Sequence, residues 1–319
     1  MFIAMLRIII YITIGVSLAA AIGLWLFGER WHPLLPSTWK GLRASGWRNF
    51  LTFKTAHAYI YGRWTNQYIN LLINHIIPRL DDRHIEHLAD HYHGKVLTTD
   101  QAKAIITLNL SIPLRDLEQI IPYPTARNLV LEGPPDMALY ECPCRHASPN
   151  PCQPTQVCMI IGQPFVDFIL EHNPKSSRPL TQAEALEILK AEHERGHVHS
   201  AWFKDIALNR FFAICNCCKC CCAGIRAMTR YGIPALASSG YVCRMDRDFC
   251  SACGMCVSAC PFGALSLDGA RVIVDWQLCM GCGVCGEQCP HQALSLVRDE
   301  RKGVPLDVRI LAQEQIVGE

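Results

Sequence analysis

The chain has 319 residues, of which half are hydrophobic, and its formal net charge is only +2. This charge does not favour nucleic-acid binding, which requires a strongly basic face. Nineteen cysteines far exceed ordinary usage, and the chain is too long for a secreted disulfide scaffold. We therefore expect a reducing compartment and an anaerobic or low-oxygen cell.

Residues 8–27, from Ile8 to Phe27, form a run of uncharged and mostly apolar residues. As a helix this run is about 30 Å long, which matches the hydrocarbon core of a bilayer. Basic residues follow the run in excess, which places its C-terminal side in the cytoplasm. The sequence predicts a single-pass inner-membrane anchor over residues 1–28, with the remainder of the chain on the cytoplasmic side.

Two alternatives compete with the anchor. A cleaved signal peptide would use the alanines at 19–21 as its processing site, and a buried helix of a soluble domain would have the same composition. The apolar run continues past these alanines, and only Arg7 precedes it. Both facts favour an uncleaved anchor.

Residues 29–97 are predicted to be a juxtamembrane segment with helical character. Within it His84, His87 and His91 share one helical face, and His93 lies just beyond. These histidines could hold a metal or haem. Interleaved acidic residues favour the simpler interpretation of a solvated helix face, and the covalent haem motif C-x-x-C-H is absent from the sequence.

Residues 98–240 are predicted to be a mostly helical, cysteine-rich domain. Thr98 is a candidate N-cap, residues 125–131 are expected to form a short helix, and the T-x-x-E pattern from Thr181 predicts a helix over 181–195. His193, His197 and His199 cluster at the end of that helix, where positive charge is favoured by the helix dipole. This role is preferred over metal ligation.

The first cysteine group of this domain lies in a proline-stiffened loop, so its thiols can converge on one point. A disulfide is disfavoured in the cytoplasm, zinc remains an alternative, and a third iron–sulfur cluster is preferred. Arg145 could balance the charge of such a cluster or face a partner. The group consists of Cys142, Cys144, Cys152 and Cys158.

The second cysteine group is a dense run of thiols that would oxidise readily unless bound to metal. A subset of it is predicted to hold a fourth cluster, and spacing alone does not select the ligands. The candidates are Cys215, Cys217, Cys218, Cys220, Cys221 and Cys222, with Cys243 as a possible extra ligand.

The most specific motif is C-x2-C-x2-C-x3-C-P, which starts at Cys250 and again at Cys279. Three closely spaced cysteines wrap three irons of a cubane [4Fe–4S] cluster, and in this motif the fourth ligates the other cluster. The spacing predicts cluster A on Cys250, Cys253, Cys256 and Cys289, and cluster B on Cys279, Cys282, Cys285 and Cys260. A zinc site or a disulfide knuckle would not require the third cysteine of each motif.

Residues 241–298 closely resemble the bacterial dicluster ferredoxins. The resemblance implies a small α+β domain with pseudo-twofold symmetry and single-electron transfer between two [4Fe–4S] clusters. More broadly, residues 100–298 resemble uncharacterised ferredoxin-like iron–sulfur proteins of anaerobic bacteria, for which no activity can be transferred. Residues 299–319 are expected to form a C-terminal arm.

The sequence therefore predicts an α+β chain that consists of an anchor, a helical cysteine-rich domain and a dicluster domain. We find no G-x-G-x-x-G fingerprint and no P-loop in the sequence, so we expect no nucleotide cofactor and no nucleic-acid partner. The leading hypothesis is a membrane-anchored electron-transfer protein with two [4Fe–4S] clusters and one or two further iron–sulfur clusters.

Its expected partners are the lipid bilayer and redox proteins or other subunits of a membrane complex. Two alternatives stay open. One is a reductase that uses an unusual cluster or a dithiol at Cys215–Cys222, and the other is a structural subunit with partly vestigial clusters.

Overall fold

The computed structural model describes residues 2–32, 34–50, 52–115, 117–269 and 271–318. It is an α+β structure with 43% helix and 21% strand, which confirms the expected fold class. The long N-terminal helix α1 spans Phe2–Gly28, and its stretch Ile9–Gly28 is long and apolar enough to cross a membrane. Its residues 9–25 are all exposed, whereas Gly28 at its end is buried against the rest of the protein.

Short helices follow α1 and lead into the main domain. Thr52 caps α3 and Asp81 caps α5, each accepting a hydrogen bond from a backbone N–H. Two further one-turn helices, Leu72–Ile76 and Ile77–Arg79, connect α4 to α5. The labelled helices here are α2 (Pro36–Ser45), α3 (Phe53–Arg63), α4 (Thr65–Leu71) and α5 (Asp82–His91).

A seven-stranded sheet forms the centre of the main domain, in the order β6-β4-β5-β8-β7-β1-β9. Neighbouring strands are antiparallel except for β1 and β9, which are parallel. The strands are β1 (Tyr92–Leu97), β4 (Met137–Glu141), β5 (Gln156–Ile161), β6 (Ser177–Pro179), β7 (Val198–Lys204), β8 (Arg210–Cys217) and β9 (Leu236–Ala237).

Helices in this region flank the sheet rather than forming the domain by themselves. A separate two-stranded pair joins β2 and β3. The remaining elements are β2 (Ile112–Leu114), β3 (Leu129–Leu131), α6 (Thr99–Ile106), α7 (Pro143–His146), α8 (Phe165–His172), α9 (Gln182–Glu194) and α10 (Ala223–Tyr231).

The prediction of a mostly helical domain over 98–240 was therefore wrong. The strands β7 and β8 are buried on both faces, so neither shows a two-residue alternation of apolar and polar residues. The helix expected over 125–131 is also absent, because residues 129–131 pair with β2 as a strand. The capped helix predicted from Thr181 does form, as α9.

The two faces of the sheet pack against different cores. Along β7, Trp202 joins one core while its neighbours Ala201 and Phe203 join the other, as the alternation of a strand requires. The core with Phe203 also contains Leu189 of α9 and Ile105 of α6. The opposite core contains most of the cysteines, so one face of the sheet is the thiol face.

The C-terminal part contains two short two-stranded pairs, β10 (Tyr241–Met245) with β13 (Leu294–Arg298) and β11 (Leu265–Asp268) with β12 (Arg271–Val274). Each pair accompanies one short helix, α11 (Met255–Ala259) or α12 (Val284–Glu287). The predicted C-terminal arm contains a one-turn helix, Glu300–Lys302, and α13 (Val308–Gly318). In this arm Val308 and Leu311 are buried in the same core as α6.

Candidate metal centres and a thiol-lined cavity

Two small cavities in the C-terminal domain are each lined by four cysteines of the repeated motif. Their walls also contain the backbone of the cysteine loops and a few apolar side chains. One cavity is lined by Cys250, Cys253, Cys256 and Cys289, and the other by Cys260, Cys279, Cys282 and Cys285. Each cavity thus receives three thiols from one copy of the motif and one thiol from the other copy.

Tight backbone turns shape these loops. Gly254 and Gly283 adopt left-handed conformations immediately before α11 and α12, which glycine adopts without steric cost. Gly281 has φ +64°, and a Cβ added there would lie 2.3 Å from the carbonyl oxygen of Tyr241. The loop at Gly281 therefore fits against β10 only without a side chain.

Backbone N–H groups point at the sulfur atoms. The N–H of Ala264 donates to the Sγ of Cys260 at 3.3 Å, and the N–H of Cys243 donates to the Sγ of Cys279 at 3.4 Å. Such bonds stabilise thiolates and set cluster potentials. Both of these donors lie at the cavity lined by Cys260 and Cys279. Four convergent thiols in each cavity fit a [4Fe–4S] cluster.

Cys243 lies in the C-terminal domain and not beside the 215–222 run. It is on β10, and its Sγ is 3.5 Å from the Sγ of Cys285. Hydrogen bonding to Cys285 and burial raise the pKa of Cys243. The structure therefore places this thiol beside the second cluster cavity as a fifth sulfur.

A separate group of four thiols lies in the main domain. The ligand atoms of Cys152, Cys218, Cys220 and Cys221 all lie within 4.8 Å of one another. Cys152 belongs to the first cysteine group, whereas the other three belong to the dense run. We call this set the four-thiol group. Its sulfurs are close enough together to surround a single metal ion.

The six remaining thiols line one face of a larger cavity. Cys215 and Cys217 lie two residues apart on β8, so both point to the thiol face of the sheet, and Cys158 comes from the neighbouring strand β5 with its Sγ 3.9 Å from that of Cys215. Thiol contacts connect these sulfurs in the order Cys144, Cys142, Cys158, Cys215, Cys217 and Cys222. We call this set the six-thiol arc.

Two thiols of the arc accept hydrogen bonds from their neighbours. Bonds from Cys144 and Cys158 lower the pKa of Cys142, and bonds from Cys215 and Cys222 lower the pKa of Cys217. The Cys158–Cys215 contact joins these neighbours, so the arc is one continuous series of thiol contacts. Each thiol of the arc that binds a metal would release its own proton, since a ligating thiol must be deprotonated.

The structure thus divides the ten cysteines differently from the two groups seen in the sequence. Each structural set draws on both sequence groups, because β5 and β8 are neighbours in the sheet. Arg145 is completely buried and interacts electrostatically with Cys142 of the arc and Cys218 of the four-thiol group. Its Nη2 is 2.8 Å from Oε2 of Glu192 and 3.2 Å from the carbonyl oxygen of Asn216, so an internal ion pair holds the positive charge near the thiols.

The histidines near α5 lie apart from these thiol sets. His84 pairs with Asp81 at 2.6 Å, and the Nδ1 of His91 is 2.8 Å from the carbonyl oxygen of His87. His93 is buried and stacks on Tyr123 and Phe203. Within the described part of the chain, no group of three ligand atoms forms at these positions.

The histidines after α9 have protein partners. The Nδ1 of His197 is 2.7 Å from Glu192, and the Nδ1 of His199 is 2.7 Å from Oδ1 of Asn216. Burial lowers the pKa of His199 to about 4, so this imidazole is neutral at physiological pH. Like the α5 histidines, these side chains contribute to packing and hydrogen bonding.

The aromatic wall of the large cavity contains functional candidates that the sequence analysis missed. Tyr61 on α3 and Tyr92 on β1 line the cavity with their hydroxyls 3.3 Å apart. The buried ammonium group of Lys204 lies over both rings. No signal in the sequence indicated this pair, because Tyr61 lies on α3 and Tyr92 on β1.

Comparisons with known proteins bear on the C-terminal domain. No curated protein matches the chain. One family model matches, and it covers residues 249–294. Outside residues 249–294, the resemblance of residues 100–298 to ferredoxin-like iron–sulfur proteins stays a prediction. The matched range contains both copies of the cysteine motif and both cysteine-lined cavities, and residues 249–294 form a 4Fe-4S dicluster domain.

Proposed function

We propose that this protein is a membrane-anchored iron–sulfur protein that relays single electrons as a subunit of a redox complex. The observation that carries the proposal is the pair of cavities in the dicluster domain, each with four cysteines of the repeated motif. When bound, the two [4Fe–4S] clusters supply one-electron redox couples. The protein contributes the thiolates, the backbone donors and the burial that set their potentials.

Contacts between the main domain and the dicluster domain support an electron-transfer route that extends beyond the two clusters. Lys219, within the dense cysteine run, donates from Nζ to the carbonyl oxygen of Ser258 on α11 at 3.0 Å. The Nε2 of His193 lies 3.6 Å from a carboxylate oxygen of Glu287 across the same boundary. We infer that the four-thiol group holds a further metal centre, an iron–sulfur cluster in our proposal, which exchanges electrons with the dicluster domain.

The junction after α1 supports an uncleaved anchor. Glu29 is completely buried and accepts hydrogen bonds from the N–H of Leu35 at 2.7 Å and from Oγ1 of Thr38 at 2.9 Å. Arg30 donates to the carbonyl oxygen of Glu171 at 2.7 Å. The end of α1 is thus built into the folded domain. Cleavage after the alanines at 19–21 would leave an apolar stub attached to that domain. We propose that the domain lies on the cytoplasmic side.

Metal analysis of the full-length protein, purified in detergent without oxygen, tests the electron-transfer proposal. We expect about eight iron and eight sulfide per chain from the two clusters, more if the other thiol sets are filled with iron, and paramagnetic resonance signals after reduction. A colourless or zinc-filled preparation would overturn the proposal. Deletion of residues 1–28 should release the protein from membranes, and the intact mass of the membrane form should include these residues.

The large cavity favours a second candidate function. A relay needs no space beside its metal centres, whereas a reductase needs room for a substrate. The six-thiol arc forms one wall of a cavity of about 580 Å³, which is within the usual range for small-molecule sites. A reductase that acts at this cavity is therefore the alternative to a pure relay.

A further inference from the structure

The large cavity extends from the thiol face of the sheet to the surface beside α2 and α3. At its inner end the lining residues Cys142, Cys158 and Cys217 are buried. At the other end the lining residues Ala44, Asn49, Lys54 and Asn209 are exposed. The cavity therefore has thiols at its floor and a mouth on the juxtamembrane side.

The mouth is formed by the helices that directly follow the predicted anchor. Trp39 of α2 is 40% exposed and Phe53 of α3 is 86% exposed. Basic residues lie among them: Arg43 is exposed, and Lys40 forms an ion pair with Asp167 at 2.6 Å. Aromatic and basic residues of this kind are typical of the headgroup layer. Because Glu29 and Arg30 fix the end of α1 to the domain, the mouth is held close to the point where α1 would leave the membrane.

The walls of the cavity suit a flat apolar molecule. Tyr140, Phe165 and Trp202 contribute rings, and Tyr61 meets Phe212 edge to face at 6.2 Å. The polar side chains of the lining include Thr65, Asp205 and Asn216. The Tyr61 and Tyr92 hydroxyls are 3.3 Å apart, so one of their two protons is used in the hydrogen bond between them. The other proton is available to donate a hydrogen bond to a ligand oxygen.

The floor of the cavity is connected to the electron-transfer sites. Cys218 belongs to the four-thiol group and also lines the cavity. Cys217 and Cys222 of the arc are direct chain neighbours of Cys218 and Cys221. The four-thiol group in turn contacts the dicluster domain through Lys219. A molecule in the cavity would thus lie beside the end of the proposed relay.

We propose that this cavity binds and reduces a lipid-soluble quinone that enters from the membrane. The proposal rests on the proposed electron-transfer function. One quinone takes up two electrons, delivered singly through the metal centres, and two protons from water, and leaves as the quinol. The metal centres lose these two electrons and are reduced again by a one-electron donor protein. The Tyr61 and Tyr92 pair positions a quinone carbonyl oxygen.

Binding of decylubiquinone to the oxidised, full-length protein in detergent tests the site directly. Ala58 lines the cavity on α3, whereas Ala56 on the same helix is exposed and outside the lining. Ala58→Trp should weaken binding by about tenfold or more, because the indole fills the space that the ring would use. Ala56→Trp should bind like the unmodified protein.

Gly41→Leu provides a second variant, because a Cβ at Gly41 meets no atom within 4 Å and the residue lines the cavity near its mouth. This variant should fold normally and also weaken binding. Unchanged iron content in all three variants shows that the clusters are intact. Binding that is absent in the unmodified protein, or equal in all four proteins, would overturn the quinone proposal.

Reoxidation kinetics separate this inference from the proposed function. After reduction with dithionite, the visible absorbance should recover when decylubiquinone is added, about tenfold more slowly in Ala58→Trp than in Ala56→Trp. Ferricyanide should reoxidise all variants equally. Recovery with ferricyanide but not with decylubiquinone would overturn the quinone site and leave the relay intact. A protein that dithionite cannot reduce would overturn both.

Discussion

The Nζ of Lys219 lies 3.0 Å from the carbonyl oxygen of Ser258. Lys219 separates two members of the four-thiol group, Cys218 and Cys220, and Ser258 lies between Cys256 and Cys260 of the dicluster domain. One hydrogen bond therefore connects the loops that carry the thiols of both domains. It also places a positive charge beside the four-thiol group.

Replacement of Lys219 with glutamine should change the potential of a metal centre in the four-thiol group. Removing a nearby positive charge disfavours the more negative reduced state, so the potential should become more negative by roughly tens of millivolts. A redox titration followed by paramagnetic resonance measures this shift. Arg83→Gln, a charge loss at an exposed residue of α5, is the control. Equal potentials in both variants would contradict a site next to Lys219.

Single substitutions distinguish the structural division of the thiols from the division suggested by the sequence. Cys152→Ser and Cys218→Ser should remove the same metal and the same resonance signal, because the structure places both sulfurs in one group. Cys158→Ser should leave that signal in place, since this thiol belongs to the arc. If Cys152→Ser and Cys158→Ser abolish one common signal, the structural grouping is wrong.

The dicluster domain could be predicted from the sequence because its ligands lie in two short loops. The spacing within each loop specifies three ligands, and the repeated motif supplies the fourth. The same eight cysteines line two cavities in the structure. The strands of the main domain could not be predicted from the sequence. Because β7 and β8 are buried on both faces, their sequences lack a two-residue alternation.

The other thiol sets could not be assigned from spacing because they depend on strand pairing. Cys158 and Cys215 are 57 residues apart in sequence, and Cys152 and Cys220 are 68 residues apart. The pairing of β5 with β8 brings both pairs of segments together. Proximity in sequence instead suggested one cluster for each cysteine group. The large cavity could not be predicted from the sequence either, because its walls come from α3, β1, β5, β7 and β8.

Removal of Arg145 should destabilise the main domain through the charge that it leaves behind. Glu192 is 1% exposed, and its carboxylate accepts hydrogen bonds from Arg145 and Arg195 at 2.8 Å. Arg145→Met leaves this buried carboxylate with Arg195 and His197 as partners, at an expected cost of about 2 kcal/mol in the free energy of unfolding. Denaturant unfolding measures the loss.

The double variant Arg145→Met with Glu192→Met is the matched control for the charge pair. It removes both charges and should recover much of the loss, because no buried carboxylate is left short of a partner. A double variant as unstable as the sum of the two single variants would show that Arg145 stabilises the domain independently of Glu192.

A methyl group at Gly281 should prevent the second cluster from assembling. Gly281→Ala would place Cβ 2.3 Å from the Tyr241 carbonyl oxygen, so the loop between Cys279 and Cys282 would have to move. Gly263→Ala is the control, because Gly263 has a similar φ of +69° but no atom within 4 Å of its added Cβ. Iron content should fall by about half in Gly281→Ala and little in Gly263→Ala. Equal losses of iron in the two variants would show that backbone strain alone causes the effect.

Acid should destabilise the main domain partly through His93. Burial lowers the pKa of His93 from 6.5 to about 4, although its Nδ1 is bonded to the carbonyl oxygen of Ala89 at 3.0 Å. Below pH 6.5 the unfolded chain takes up a proton that the folded chain does not. The free energy of unfolding should therefore be lower by about 2 kcal/mol at about pH 5 than it is above this pH.

His93→Phe tests this contribution, because phenylalanine can occupy the stack between Tyr123 and Phe203 without titrating. The free energy of unfolding of this variant should decrease less between about pH 7 and about pH 5 than that of the unmodified protein. His75→Phe, at an exposed histidine, should retain the original slope. Because all three proteins carry the same clusters, the acid lability of the clusters cancels in the comparison. Identical slopes in all three would contradict a neutral, buried His93.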